Sequence, residues 1–222
     1  MSALDLQALI LPPTDTSSFG LEAADDPHLL DTGSVLFVDI TGFTGIAEGM
    51  APARLMTWVG EFLRDMAAVV GRHGGFVDKL MGDGLMAVFL AGAARDHADA
   101  AMDAAEAMHT ALTELNDRFR MRGLPQIRMR IGVHSGALVT GFVVVGSDLA
   151  MTTVGDTVNT ASRLQSLELA DESEGATRIL CSAATAERLR PARPMELVGT
   201  LSLRGKHRPV TVYRLRVGRD GQ

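Results

Sequence analysis

Several features that the sequence lacks limit what the protein can be. It has one cysteine, Cys181, so no disulfide can form within the chain, and no group of Cys and His residues has zinc-ligand spacing. Apolar runs such as Val35–Val38 and Phe142–Val145 are far shorter than the ~20 residues of a membrane-spanning helix. No basic segment precedes an apolar stretch at the N-terminus, as it would in a signal peptide. We therefore expect a cytoplasmic protein without a membrane segment, in which Cys181 is a buried apolar residue.

The sequence also lacks any sustained run of Lys or Arg. Its 27 acidic and 21 basic residues give a formal net charge of -6. Because binding to a nucleic-acid backbone needs a basic surface, nucleic acid is not expected as a partner. The composition, with 46% hydrophobic and 22% charged residues, is that of a folded globular protein. The 222 residues are enough for one domain with a substantial core.

The chain divides into a short N-terminal part and one long patterned part. Residues 1–33 contain a Pro-Pro pair and an acidic, Ser/Thr-containing segment, and we interpret them as an arm or linker. Residues 34–217 carry the strand and helix patterns of a single domain. Residues 218–222 are interpreted as a C-terminal tail.

Alternating or continuous apolar, β-branched residues predict the strands, and apolar residues three or four apart predict the helices. The predicted strands are 34–39, 76–81, 85–89, 127–133, 137–145, 178–181 and 210–215. The two main predicted helices are 52–73 and 96–122, the second with its acidic side in solvent, and a third begins at 156 or 157. A turn at 134–136 is expected to join two strands. This order predicts an α+β sandwich of the ferredoxin-like or palm type, with helices on one face of a mostly antiparallel sheet.

Two aspartates are placed at the rim of the predicted sheet. The run SVLFVDI carries Asp39 at its end, and Asp83 lies between two glycines at the tip of a predicted hairpin. If the two segments pair, the carboxylates converge, and their repulsion favours bound cations. Hard oxygen ligands suit Mg²⁺ or Mn²⁺. On the residues alone an alternative stays open, in which Asp39 caps the next helix and Asp83 occupies a turn.

The loop after Asp39 favours the first interpretation. Thr41, Gly42, Phe43 and Thr44 lead into the N-terminus of a helix, and such a turn directs backbone N–H groups at an anion. Carboxylates for a metal beside amides for a phosphate are the arrangement of a nucleoside-triphosphate site.

Four segments occur in the order FVDITGFT, DKLMGDGLMAVF, RIGVHSG and VGDTVNTASRL. Together they resemble the catalytic domain of class III adenylyl and guanylyl cyclases, over roughly residues 34–215. A Gly-Asp hairpin alone also occurs in polymerase palms and diguanylate cyclases, but the GGDEF-type segment of the latter is absent. The resemblance implies a lyase that converts ATP to cyclic AMP and pyrophosphate.

The resemblance implies that Asp39 and Asp83 bind two divalent metal ions, Mg²⁺ or Mn²⁺, with the Ile40 carbonyl as a further ligand. One metal would activate and orient the ribose 3′-hydroxyl for in-line attack on the α-phosphorus. The other would hold the triphosphate and stabilise the departing pyrophosphate. Phe43 and Thr44 would contact the substrate in the loop that follows.

Asn159 and Arg163 lie four residues apart in the third predicted helix and so share one face. The resemblance implies that Asn159 positions the ribose and that Arg163 contacts phosphate as charge develops. It also places Arg204 where family members usually carry a Lys that holds the terminal phosphates, and Lys206 is the competing candidate.

Base choice is expected to depend on Lys79 and Thr152. Lys79 matches the adenine-selecting lysine of the family, and an ammonium only donates hydrogen bonds, which suits N1 of adenine. Thr152 matches the second selecting position, where its hydroxyl can accept from the 6-amino group. Thr153 is an alternative alignment.

The resemblance further implies a homodimer with two sites at the subunit interface. The two aspartates and Lys79 are expected from one subunit, and Thr152, Asn159 and Arg163 from the other. Two other functions are weighed against an adenylyl cyclase. One is a catalytically silent nucleotide-binding or regulatory domain, and the other is a guanylyl cyclase. The chain keeps both aspartates, the Asn and the Arg, which disfavours the silent domain.

Overall fold

The computed structural model describes residues 28–92, 95–145, 148–169, 175–189, 193–206 and 208–218. Within these ranges the chain forms eight strands and five helices. The strands are β1 (His28–Ile40), β2 (Phe76–Met81), β3 (Gly84–Leu90), β4 (Met129–Val145), β5 (Asp148–Val154), β6 (Thr177–Ser182), β7 (Met195–Leu201) and β8 (Val210–Leu215). The helices are α1 (Phe43–Glu48), α2 (Pro52–Arg72), α3 (His97–Met121), α4 (Asp156–Ser166) and α5 (Ala183–Ala186).

All eight strands belong to one sheet. Its order is β2-β3-β1-β4-β6-β8-β7, and β5 pairs with β4 beside this path. Among the described strands β4 and β6 run parallel, and every other pairing is antiparallel. The predicted α+β class with a mostly antiparallel sheet is confirmed. None of the helices in the described ranges combines the length and apolar composition that crossing a membrane requires.

Helices cover both faces of the sheet, so the expectation that they share one face is wrong. Leu36 and Val38 of β1 belong to the main core, which α2 and α3 close. Val35 and Phe37 belong to a second cluster with Ala161 of α4. Successive side chains of a strand point to opposite faces, so α4 lies on the face opposite α2 and α3. We call these the α2/α3 face and the α4 face.

Strand β4 is continuous, and the predicted turn at residues 134–136 is wrong. The long strand β1 pairs with β4 through this segment, with Val35 opposite His134 and Ser34 opposite Ser135. Pairing along all of β1 holds the His-Ser-Gly segment extended. Strand β5 was not predicted from the sequence.

The boundaries of the domain differ at the N-terminal end. Strand β1 begins at His28, ahead of the expected Ser34, because its first residues pair with the far end of β4. Residues 1–27 and 219–222 lie outside the described ranges. The interpretation of the two ends as arm and tail therefore stays a prediction.

The acidic side of α3 faces solvent only in part: Glu114 and Asp117 are exposed as expected, but the acidic residues near the start of the helix are not. Asp99 is buried, and Arg193 forms ion pairs with Asp99, Asp103 and Glu106 of this helix. The opposite side of α3 is buried against the sheet and α2, so the helix is enclosed on more than one side. The buried state of Cys181 is as expected, and burial raises the pKa of its thiol to about 12.

Candidate active site

The two aspartates lie side by side at one edge of the α4 face. Asp39 is the last residue but one of β1 and stands opposite Gly84, the first residue of β3. Asp83 lies in the turn just before Gly84, where Gly82 has a positive φ of 66°. Burial, together with the charge of Asp83 and a hydrogen bond to it, raises the pKa of Asp39 to about 6. The carboxylates therefore converge, as the sequence suggested.

Gly84 makes this convergence possible. A Cβ atom at this position would lie 2.4 Å from the Val38 carbonyl oxygen and 3.1 Å from Oδ1 of Asp39. The first contact is with backbone and cannot be relieved by a side-chain movement. Any other residue would push the hairpin away from β1, so glycine is required for the two carboxylates to meet.

The carboxylate pair fits a site for divalent cations. Two like charges that share a half-buried site repel each other unless a cation neutralises them. No group of three or more His, Cys, Asp or Glu residues in the described ranges could hold a metal by itself. A cation here would therefore need further oxygen ligands from the backbone or from a phosphate, which suits Mg²⁺ or Mn²⁺.

Gln165, which was not predicted from the sequence, contacts Asp39. Its Nε2 donates to Oδ2 of Asp39 at 3.4 Å, and Nη2 of Arg178 donates to its carbonyl oxygen at 2.8 Å. A Cβ at Gly132 would lie 2.3 Å from the Gln165 nitrogen, so this glycine lets α4 approach β4 closely. A glycine inside a strand is the signal that could have indicated a close helix.

Lys79 and Thr152 lie together in one chain. Nζ of Lys79 on β2 donates to Oγ1 of Thr152 on β5 at 3.4 Å. The expectation that these two residues come from different subunits is therefore wrong, because the β4–β5 pair brings Thr152 to β2. Thr153, the alternative to Thr152, is buried and its hydroxyl bonds to that of Thr140 at 3.2 Å.

Helix α4 presents Asn159 and Arg163 away from the sheet. Its inner side buries Thr157, Thr160, Ala161 and Leu164, whereas Asn159 is exposed and Arg163 is half-buried. The two candidates are one helical turn apart, as expected from their spacing.

The loop that contains Arg204 packs beside Arg163. A Cβ at Gly205 would lie 3.1 Å from Nη2 of Arg163. Lys206 forms an ion pair with Asp156 at the start of α4, and this contact lowers the pKa of Asp156. Arg204 is exposed. Both candidates for the terminal phosphates therefore lie on a loop that packs along α4.

Comparison with known proteins identifies the family to which this chain belongs. A family model described as the adenylate and guanylate cyclase catalytic domain matches residues 27–216. The chain belongs to this family. It is thus a class III nucleotidyl cyclase domain, and the resemblance found in the sequence is confirmed.

Relatives of the cyclase domain act on both purine nucleotides, according to their names. An adenylate cyclase of Anabaena cylindrica is 38% identical over 138 residues, which are 60% of this chain and 27% of the relative. The human retinal guanylyl cyclase 2 is 30% identical over 220 residues, which are 96% of this chain and 19% of the relative. The chain thus spans about a quarter or less of these relatives.

The fold of the cyclase domain matches a solved adenylyl cyclase. The crystal structure of CyaB from P. aeruginosa superposes with a TM-score of 0.78 at 27% identity, and covers 86% of this chain and 97% of that one. Since relatives of both kinds are similar to this chain, membership of the family leaves the base to be argued from the site residues.

Two further residues of the cyclase domain point their side chains into the protein. Ile40 is buried, and Phe43 packs against the main core. The carbonyl of Ile40, and not its side chain, could therefore meet a metal. Thr44, the next residue of α1, is exposed. Helix α1 has no side-chain cap, and the first N–H groups of a helix have no partner within it.

Proposed function

We propose that this cyclase domain is an adenylyl cyclase, which converts ATP to 3′,5′-cyclic AMP and pyrophosphate. The contact between Lys79 and Thr152 carries the proposal. Adenine has an acceptor at N1 and an amino group at C6, so a donor next to a hydroxyl that can accept is complementary to it. Guanine carries a hydrogen on N1, and opposite an ammonium this donor would be left unpaired, which costs about 1–3 kcal/mol when buried.

The register of the sheet supports this role. Lys79 stands opposite Met86, which belongs to the cluster on the α4 face. Asp39 alternates with Val38 of the main core, so it too lies on the α4 face. The candidates for base and metal binding are thus on the same face of the sheet as α4.

Each residue of the site has a separate role in the proposed reaction. Two divalent metal ions, held by Asp39, Asp83 and the Ile40 carbonyl, would lower the pKa of the ribose 3′-hydroxyl and neutralise charge on the departing pyrophosphate. Asn159 orients the ribose so that its 3′-oxygen is in line with the bond from the α-phosphorus to the bridging oxygen. Arg163 donates to the α-phosphate oxygens as their negative charge grows.

The triphosphate is held from two directions in this proposal. The N–H groups of Phe43 and Thr44 face it from the start of α1. Arg204 holds the terminal phosphates, because Lys206 is already engaged with Asp156. As the new 3′-oxygen to phosphorus bond forms, the bond to pyrophosphate breaks, and the hydroxyl proton leaves to solvent.

We further propose that the domain acts as a homodimer. Leu80, Met81 and Val154 are between 39% and 54% exposed and lie on β2 and β5, the strands that carry Lys79 and Thr152. Exposed apolar residues that cluster around polar site residues favour a protein interface. A two-fold dimer would form two equivalent sites, each with the aspartates of one protomer and Lys79, Thr152, Asn159 and Arg163 of its partner.

Guanylyl cyclase activity is the second candidate function. The match to human retinal guanylyl cyclase 2 over 96% of the chain favours it, and the Thr152 hydroxyl can donate as well as accept. The test is to incubate the purified protein with Mn²⁺ or Mg²⁺ and either ATP or GTP and to identify the product by chromatography. We expect cyclic AMP as the main product, and none in excess chelator. Formation of cyclic GMP alone would support the second candidate, and no cyclic product from either nucleotide would contradict both.

A further inference from the structure

Next to Lys79 lies a buried carboxylate for which the proposed reaction has no use. The side chain of Asp78 has an exposed fraction of 0%, whereas that of Lys79 is 40% exposed. Neither carboxylate oxygen of Asp78 has a hydrogen-bond partner within the described residues. Asp78 forms an ion pair with Nζ of Lys79. A carboxylate taken out of water is costly unless a cation pairs with it, so Asp78 depends on Lys79.

A β-bulge explains how neighbours in sequence can meet in this way. In a regular strand the side chains of adjacent residues point to opposite faces. Here the register shifts, with Val77 opposite Ala87 but Lys79 opposite Met86. Asp78 is the extra residue and has no partner on β3. Bulges re-aim side chains and are found next to active sites.

We propose that Asp78 is a positioning residue that sets the base selectivity of the cyclase by holding the Lys79 ammonium against Thr152. The inference rests on the proposed function, since it deepens the role of Lys79. A lysine ammonium has three N–H donors. The ion pair with Asp78 and the donation to Oγ1 of Thr152 at 3.4 Å fix the position of the ammonium, which keeps an N–H for an acceptor on the base.

Without Asp78, the lysine would lose its fixed position. Its long side chain is flexible and strongly hydrated, and it is already partly exposed. It would then extend into water in many rotamers, and N1 of adenine would meet no preset donor. Thr152 alone does not distinguish the bases firmly, because a hydroxyl both donates and accepts.

The first test is the variant Asp78→Asn, which keeps the shape and removes the charge. We expect the preference for ATP over GTP in kcat/KM to fall by about tenfold, the effect of about one hydrogen bond, mainly through a higher KM for ATP. The metal concentration for half-maximal activity should not change, because the aspartates that bind metal are untouched. The midpoint of thermal unfolding should stay or rise, since a buried charge is lost. A merely structural residue would not alter the nucleotide preference.

Asp65→Asn is the matched control. Asp65 also pairs with a cation, Arg118, but on the α2/α3 face and partly in solvent. The preference of the Asp65→Asn variant for ATP over GTP in kcat/KM should equal that of the unchanged protein. If Asp78→Asn retains the full preference for ATP, the inference is overturned while the proposed function stands. An unchanged protein that shows no preference for ATP overturns both.

The second test does not depend on catalysis. Lys79→Ala leaves Asp78 buried without its cation, so the midpoint of thermal unfolding should fall clearly below that of the unchanged protein. Adding Asp78→Asn to Lys79→Ala should recover most of the loss, which supports the ion pair. If the two substitutions act additively, Asp78 and Lys79 are not coupled and the inference is overturned.

Discussion

On the α2/α3 face of the sheet, Trp58, Phe62 and Met66 are completely buried, whereas on the α4 face Asn159 is exposed and Arg163 is half-buried. The first face is closed by two long helices and is filled with aliphatic and aromatic side chains. The second carries one shorter helix, α4, and the candidates for metal, base and ribose binding. We propose that the α2/α3 face supplies stability, whereas the α4 face supplies the catalytic residues and a surface for a second protomer.

The largest expected effect is on the α4 face. Asp83→Ala should nearly abolish formation of cyclic AMP, because one of the two metal ligands is lost. Thermal unfolding should show equal or higher stability, since the repulsion that contributes to the raised pKa of Asp39 is removed. The measurements are product formation and a melting curve on the same sample. Full activity of this variant would show that Asp83 does not bind the catalytic metal.

A substitution in the core of the α2/α3 face should lower stability and leave activity nearly unchanged. Phe62→Ala removes a fully buried ring and should lower the free energy of unfolding by about 3–5 kcal/mol. The activity per folded molecule, measured below the unfolding transition, should stay close to that of the unchanged protein. Urea titration gives the first quantity and a product assay at low temperature gives the second. If Phe62→Ala loses activity while fully folded, the division between the faces is wrong.

The α2/α3 face is also the part that the sequence predicted best. The helix that begins at Pro52 was predicted because Leu55, Val59 and Phe62 recur at the helical period, and this signal depends only on which side is buried. Tertiary pairing decided the parts that were missed. Strand β5 and the continuity of β4 depend on partners far away in sequence, and His134-Ser135-Gly136 resembles a turn until β1 is paired with it.

In the candidate site, too, the residues with a local sequence signal were predicted and those that depend on tertiary contacts were missed. Asp39 and Asp83 were found because each ends an apolar segment at a glycine or a turn, and the structure brings them together. Gln165 and Asp78 were missed, since neither residue type stands out locally. Gln165 reaches Asp39 through the close approach at Gly132. Asp78 meets Lys79 through a bulge, and no periodic pattern predicts where a strand will bulge.

A smaller effect tests whether the α4 face binds a second protomer. Asp83→Ala and Arg163→Ala should each be inactive alone, because both sites of each dimer contain the same lesion. After subunit exchange, half of the dimers are mixed and each mixed dimer has one intact site, so activity should recover to about a quarter of that of the unchanged protein. Specific activity should also rise with protein concentration.

Exchange must be shown independently, for instance by energy transfer between protomers labelled with different dyes. Dimers that exchange and recover no activity would show that the aspartates and Arg163 act within one chain. The pair Lys79→Ala and Thr152→Ala is the matched control. These two residues contact each other within one chain, so a mixture of Lys79→Ala with Thr152→Ala should recover no activity. Either of these variants mixed with Asp83→Ala should recover about a quarter of the activity of the unchanged protein.

The smallest expected effect concerns stability on the α4 face. His134 stands on β4, its Nδ1 bonds to the Ser182 hydroxyl at 2.6 Å, and burial, then the charge of Lys206, lowers its pKa from 6.5 to about 4. The unfolded chain therefore binds more protons than the folded one between these two values. Above pH 6.5 protonation of His134 does not reduce the free energy of unfolding. As the pH drops from 6.5 towards 4, it reduces this free energy by about 3 kcal/mol at most.

His134→Asn should flatten this dependence, because the side chain can no longer take up a proton on unfolding. The measurement is the free energy of unfolding by urea between pH 4 and 7 for both proteins. Some slope should remain, since burial also lowers the pKa of His97. Identical pH profiles would show that His134 does not resist protonation in the folded state. A flatter pH profile for His134→Asn would show that a residue of the α4 face also affects stability. The proposed division of roles between the two faces would then not hold at His134.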